Sequence, residues 1–149
     1  PRTAVTAVDA SADALAVARA NAQRLGLSVH FIKASWLQGV SGRFHVIASN
    51  PPYIAADDPH LPALRHEPRQ ALASGPDGLD DLRQIVQQAP AHLLSGGWLL
   101  LEHGWDQAGS VRELLAQAGF EAVQSRRDLS GIERCSGGRW AGGASSGPR

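Results

Sequence analysis

The apolar positions change period several times along the chain, and each change marks an expected element. Residues 3–8 carry β-branched side chains and read as a strand that runs out on Asp9-Ala10-Ser11. Ser11 is placed to cap a helix over 12–25, where Leu15, Ala18, Ala22 and Leu25 recur at helical spacing and Gly26 stops the run. A short strand is expected over 28–33. Residues 43–49, with Phe44, Val46 and Ile47, predict a buried strand ending at Asn50. The Pro-rich segment 51–75 has no period and is too long for a plain connector, which marks it as a functional loop. From Asp77 the helical spacing returns through Leu79, Leu82, Ile85, Val86 and Leu93, with a kink expected where Pro90 removes a hydrogen bond near Val86 and a stop at Ser95-Gly96-Gly97. Residues 98–102 predict a strand, 107–118 an amphipathic helix closed by Gly119, and 120–127 and 132–140 two last strands. This alternation predicts an α/β fold with a twisted, mostly parallel sheet and a C-terminal antiparallel hairpin. No internal repeat is visible, and the Gly/Ser/Ala-rich residues 141–149 read as a disordered or non-native tail.

Composition narrows the classes. At 149 residues, one domain is expected, with residues 1–140 as its folded part. The formal net charge is zero, so no broad basic face advertises nucleic acid or an anionic membrane. No apolar run approaches the roughly 20 residues of a membrane helix. A single cysteine, Cys135, excludes an internal disulfide and fits a reducing, cytoplasmic setting. Six histidines are scattered without ligand spacing, so no metal site is expected, and Glu102-His103 after an apolar strand reads as structural.

Asn50-Pro51-Pro52-Tyr53 is where the sequence carries chemistry. A side-chain oxygen on Asn50 and the carbonyl of Pro51 can accept both hydrogens of a planar NH2 group, while the prolines stiffen the turn and offer no competing N–H. Tyr53 adds an aromatic wall for a flat group. An amide nitrogen is a poor nucleophile and a sulfonium methyl a strong electrophile, so positioning is most of the task; a fixed near-attack geometry supplies up to about 7–11 kcal/mol. An ordinary turn is the plainer reading of Asn-Pro-Pro. Placement directly after an apolar strand, where open parallel sheets bind ligands, favours the functional one.

The tetrapeptide after a fourth strand resembles the signature of class I methyltransferases acting on planar NH2 groups, a Rossmann-like fold. Flanking segments Asp58-Pro-His-Leu61, Glu67-Pro68, Leu99-Leu-Leu-Glu-His-Gly104, Glu133-Arg134 and Gly138-Arg-Trp140 resemble the release factor glutamine methyltransferases in order and spacing. That resemblance implies S-adenosylmethionine as cofactor, the Gly-Gly-Gln glutamine of class 1 peptide chain release factors as acceptor, a monomer, and no direct nucleic-acid or membrane partner. It implies that Asn50 and Pro51 hold the glutamine amide, with Asn50 also beside the cofactor and Pro52 and Tyr53 completing the acceptor pocket. Asp9 would accept from the cofactor's ribose hydroxyls, although its simpler role is capping beside Ser11. Ser35-Trp36 stands where the family usually has Asp-Trp near the adenine amine. Ser35 is therefore a departure, and Trp36 serves equally as core or as adenine wall. Glu67 is either a solvated charge or part of the substrate side, Arg126-Arg127 and Arg134 are most simply solvated, and Asp57-Asp58 marks a turn.

The family's glycine-rich loop after its first strand does not precede Thr3. Absence of that strand, which lies centrally in the family's sheet, would leave unpaired inner edges, so the segment alone is expected to be unstable and inactive. Two other readings stay open: an adenine-N6 DNA methyltransferase, which calls for a basic groove, and a non-catalytic remnant.

Overall fold

A computed structural model describes residues 2–64 and 72–143. The chain divides into two compact units, residues 1–42 and 43–149. In the first, β1 (Val5–Asp9) and β2 (Val29–Lys33) pair in parallel, Val5 opposite Val29 through Asp9 opposite Lys33, and α1 (Ala12–Arg24) connects them. Ser11 caps α1 as its sequence suggested, its side chain accepting from the Ala14 N–H at 3.2 Å. Gly26, at φ +65°, closes the helix: the Gly26 N–H reaches Gln23 O and the Leu27 N–H reaches Ala22 O at 2.8 Å. Leu15 and Ala22 are the helix's buried positions, Leu25 is exposed, and the Arg19 guanidinium lies 5.6 Å from the centre of the Phe31 ring.

The second unit holds a four-stranded sheet in the order β3-β4-β6-β5. β3 (Phe44–Ser49) and β4 (Leu93–Glu102) run parallel, and β6 (Glu133–Arg139) is antiparallel to both β4 and β5 (Glu121–Arg127). The expected hairpin is thus present, inserted so that its second strand lies next to the parallel pair. α2 (Asp80–Gln88) and α3 (Ala108–Gln117) pack together, and α3 lies on β5 and β6. One sheet face is covered along β4: Leu99 and Leu101 have no exposure, nor do Leu82, Val111 and Leu115. Each such side chain contributes about 1.5–3 kcal/mol.

Three expectations are corrected. Val46 is 54% exposed and Leu100, on the same sheet face opposite Ala48, is 37% exposed, so 43–49 is covered on one side only. Pro90 does not kink a continuing helix; α2 ends at Gln88 and the proline opens a 3-10 turn, Ala89–His92, because a fixed φ and a missing N–H suit a first turn. Ser95-Gly96-Gly97 is no helix stop either, for β4 already begins at Leu93, and Gly97 lets β4 close on β3, where a Cβ would stand 3.0 Å from the His45 carbonyl. Among the described residues β1 pairs only with β2, and β3 only with β4.

Candidate active site

β3 delivers Asn50, exposed, to the carboxyl edge of its sheet, and the chain then dives: Pro51 is fully buried and Pro52 and Tyr53 half-buried. Proline brings no N–H to satisfy, so its carbonyl is the one backbone group that Pro51 buries. Neither the Asn50 side-chain amide nor the Pro51 carbonyl has a partner among the described residues; the Asn50 amide is exposed, and the Pro51 carbonyl is enclosed with the rest of its residue.

Tyr53 is where this turn is held. Its carbonyl accepts from Gln107 Nε2 at 2.9 Å, and the Gln107 Oε1 accepts from the Gly104 N–H at 2.8 Å. Beyond Tyr53 the two ends of the long loop run side by side, with Ile54 N–H to Leu72 O at 3.0 Å, Ser74 N–H to Ile54 O at 2.8 Å, and a parallel bridge between Ile54 and Ala73. Ser74, buried, then accepts from the Asp81 N–H at 2.8 Å and donates to its carboxylate at 2.6 Å, capping α2 from upstream. Asp77 adds to this cap, accepting from the Leu79 N–H and from both terminal nitrogens of Arg83. The Arg83 hydrogen bonds, helped by the Leu79 N–H, hold its carboxyl below the ordinary range.

His103 is buried with no exposure, in keeping with the structural reading of a histidine without ligand spacing. Its Nδ1 lies 2.9 Å from the Gly104 carbonyl, which only accepts, so that nitrogen carries a hydrogen. On the other side a polar chain runs from His103 Nε2 to Ser136 Oγ at 2.7 Å, to Ser125 Oγ at 2.7 Å, to Arg112 at 2.6 Å, and Arg112 pairs with Glu133. Hydroxyls can be oriented so that each donates once and accepts once. Asp58 marks a turn, accepting from the His60 N–H at 2.8 Å, which lowers its carboxyl.

A groove of about 530 Å³ opens on the uncovered sheet face and is lined by Asn50, Ser49, Glu102, Arg126, Arg134 and Cys135, among others. It reaches Asn50 but not Pro51, Pro52 or Tyr53. Arg127 donates to the Gly131 carbonyl and Arg134 stands 3.7 Å from Asp128, so the arginines edge this groove partly tied within their own hairpin. Glu67 lies outside the described residues. Among the described residues, no group of three His, Cys, Asp or Glu is placed for a metal ion.

In the first unit Asp9 and Ser35-Trp36 share the carboxyl edge of the two-stranded sheet, joined by an Ala34 N–H to Asp9 O bond of 3.1 Å. One Asp9 oxygen accepts from the Ser11 N–H at 2.7 Å, the capping role weighed above. Its second oxygen has no partner among the described residues. Ser35 is exposed, and Trp36 is half-buried at φ +53°, a conformation bulky residues rarely adopt.

A family model described as the methyltransferase small domain matches residues 1–75, half of the chain, running through Asp9, Ser35, Trp36 and Asn50 to Tyr53. The chain belongs to the methyltransferase small domain family. This methyltransferase small domain is 54% identical over 145 residues to the release factor glutamine methyltransferase of Pseudomonas aeruginosa, with 95% of this chain and 52% of the relative covered. It spans about half the length of the curated relatives it matches. Among solved structures, the release factor-specific protein-(glutamine-N5) methyltransferase of Alicyclobacillus acidocaldarius shares 28% identity at a TM-score of 0.50, covering 93% of this chain and 80% of that one. A 16S rRNA methyltransferase of T. thermophilus solved with AdoMet and guanosine shares the fold at 17% identity, TM-score 0.67, covering 93% of this chain and 32% of that one.

Sequence reasoning singled out the turn but missed what supports it. Gln107 read only as a helix start, and Gly78 fell inside the helical run expected from Asp77. The available signal was a polar residue three positions after Gly104, at a helix N-terminus where unpaired N–H groups need acceptors.

Proposed function

We propose that this methyltransferase small domain is the catalytic part of an enzyme that methylates a glutamine side-chain amide, the glutamine of the Gly-Gly-Gln motif in class 1 peptide chain release factors. It uses S-adenosylmethionine, acts in the cytoplasm and works as a monomer. The observation that carries the reading is the Asn50–Tyr53 turn: two unpartnered acceptors, the Asn50 side-chain oxygen and the Pro51 carbonyl, at the carboxyl edge of a parallel pair. The choice of glutamine over other NH2 groups is supported by the names of the relatives at 52% and 54% identity.

The residues present fit the cofactor. Asp9 keeps an open carboxylate oxygen for a ribose diol, and exposed Ser35 and half-buried Trp36 stand on the same edge to meet an adenine. When bound, S-adenosylmethionine supplies a sulfonium methyl that needs no activation. Asn50 and Pro51 accept the two amide hydrogens and so fix the plane of the NH2 group, aiming its nitrogen at the methyl carbon. Bound there, the cofactor would supply the methyl group and keep the leaving electron pair on its sulfur, while Asn50 and Pro51 hold the nitrogen, which would pass one proton to solvent at exposed Asn50. Tyr53 walls the flat group and Pro52 stiffens the turn.

The test is transfer of labelled methyl from S-adenosylmethionine to a release factor, its Gln-to-Ala variant in the Gly-Gly-Gln motif, and DNA. Label on the release factor alone is expected. Label on DNA with none on the release factor would overturn the reading.

A further inference from the structure

The turn that presents Asn50 and Pro51 is fixed from behind at one atom, the Tyr53 carbonyl oxygen. Gln107 Nε2 donates to it at 2.9 Å. Gly78, at φ +75°, backs onto it so closely that a Cβ there would stand 2.3 Å from the oxygen and 3.0 Å from Gln107 Nε2. Gly104 approaches from β4's end: a Cβ would stand 3.1 Å from Gln107 Oε1 and 3.4 Å from the Tyr53 ring at Cδ2. Two segments distant in sequence, one at Gly78 and one at Gly104–Gln107, therefore converge on Tyr53, each bringing a glycine against it.

Gln107 itself is only 8% exposed, and each end of its amide is used once, the oxygen by the Gly104 N–H and the nitrogen by Tyr53. Exchanging the two ends would set donor against donor at Gly104 and acceptor against acceptor at Tyr53, so the amide orientation is determined. Gly104 is in turn anchored, since its carbonyl accepts from the buried His103 ring, whose far nitrogen joins the chain through Ser136 and Ser125 to Arg112. The height of the acceptor turn is thus referred to the covered sheet through β4 and β6.

We propose that Gln107 is a positioning residue for methyl transfer, which sets the place of the Pro51 and Asn50 acceptors by holding the Tyr53 carbonyl, with Gly78 and Gly104 shaping the seat. The assignment rests on the methyl-transfer reading above. Gln107 touches neither substrate nor cofactor in this role; it acts through Tyr53.

Glu is the discriminating replacement. In Gln107→Glu, a carboxylate of the same shape still accepts from the Gly104 N–H but cannot donate to Tyr53 O and repels it. Gln107→Leu loses both bonds. Three readouts are taken on each full-length variant: thermal unfolding, amide hydrogen exchange at Ile54 and Ser74, and kcat and KM for methyl transfer to a release factor. For Gln107→Glu, which loses the Tyr53 bond and sets a carboxylate against a carbonyl at a buried position, we expect a lowered melting temperature with the fold retained, faster exchange at Ile54 and Ser74, and a kcat lowered by about 10- to 100-fold, since a misplacement near 1 Å costs about that. KM for S-adenosylmethionine stays unchanged. Gln107→Leu melts lower and matches the Glu variant in kcat. A folded Gln107→Glu with wild-type exchange, or with altered exchange and wild-type kcat, overturns the proposal. If the wild-type protein labels no glutamine, the reading of function fails, while the exchange data still decide whether Gln107 holds the turn.

Discussion

Replacing Gly78 by alanine strikes the acceptor turn from the opposite side. The added Cβ would meet the Tyr53 carbonyl oxygen at 2.3 Å, where real contacts do not fall below 3.0 Å. The oxygen or the backbone of residue 78 must then move by the difference, roughly 0.7 Å. Gly78 also sits at φ +75°, where an L side chain costs about 1–2 kcal/mol. Loss of the Gln107 bond adds about 0.5–1.5 kcal/mol. Together these come to roughly 1.5–3.5 kcal/mol, and at about 2–4 °C per kcal/mol for a chain of this size the melting temperature falls by roughly 3–14 °C. A shift of that size at the acceptors lowers kcat by about 10- to 100-fold. Gly96→Ala is the control: it stands at φ +81° with nothing within 4 Å of the added carbon, so it carries the conformational cost without the contact. Melting followed by circular dichroism, and methyl transfer measured on the same preparations, separate the two. Equal losses of melting temperature in both variants, with wild-type kcat in each, would refute the reasoning.

Three further outcomes follow from the site. Asn50→Ala removes one of the two amide acceptors and is expected to lower kcat by roughly 10²–10³-fold with little change in S-adenosylmethionine binding, measured by calorimetry; an unchanged kcat would remove Asn50 from the mechanism. Asp9→Ala deletes the open carboxylate oxygen and is expected to weaken cofactor binding about tenfold or more, leaving α1 capped by Ser11, which calorimetry and circular dichroism check in turn. Asp77, whose carboxyl is lowered first by its Arg83 hydrogen bonds, stabilises the start of α2 at neutral pH. Because the folded value lies below the unfolded one, this stabilisation is complete above the ordinary carboxylate range and fades as pH falls through the lowered value. Asp77→Asn is therefore expected to flatten the acid limb of a melting temperature against pH profile, and an unaltered slope would show that the ion pair contributes nothing.

Local signals were legible where one residue's own chemistry decides. Ser11 and Gly26 frame α1 because a hydroxyl can cap and a glycine can adopt positive φ, and neither act needs a distant partner. Asn50 at the end of a strand was legible for the same reason. What could not be read depended on neighbours far along the chain. Ser95-Gly96-Gly97 looked like a helix stop, yet it lies within β4, and a Cβ at Gly97 would press on carbonyls of β3. Val46 looked buried because its residue type is apolar, whereas burial depends on what covers that sheet face. Gln107 offered a local signal in its spacing from Gly104, but its hold on Tyr53 could not be read, since that partner is fifty-four positions away.

The rear of the acceptor turn also bears on redesign. Positions 78 and 104 admit no larger side chain without displacing Tyr53 or Gln107, and Pro51 is sealed in the interior. An engineer seeking a different acceptor group therefore has no freedom behind the turn. Any change of preference has to come from the open side, through the Asn50 side chain, the Tyr53 ring and the loop that follows them.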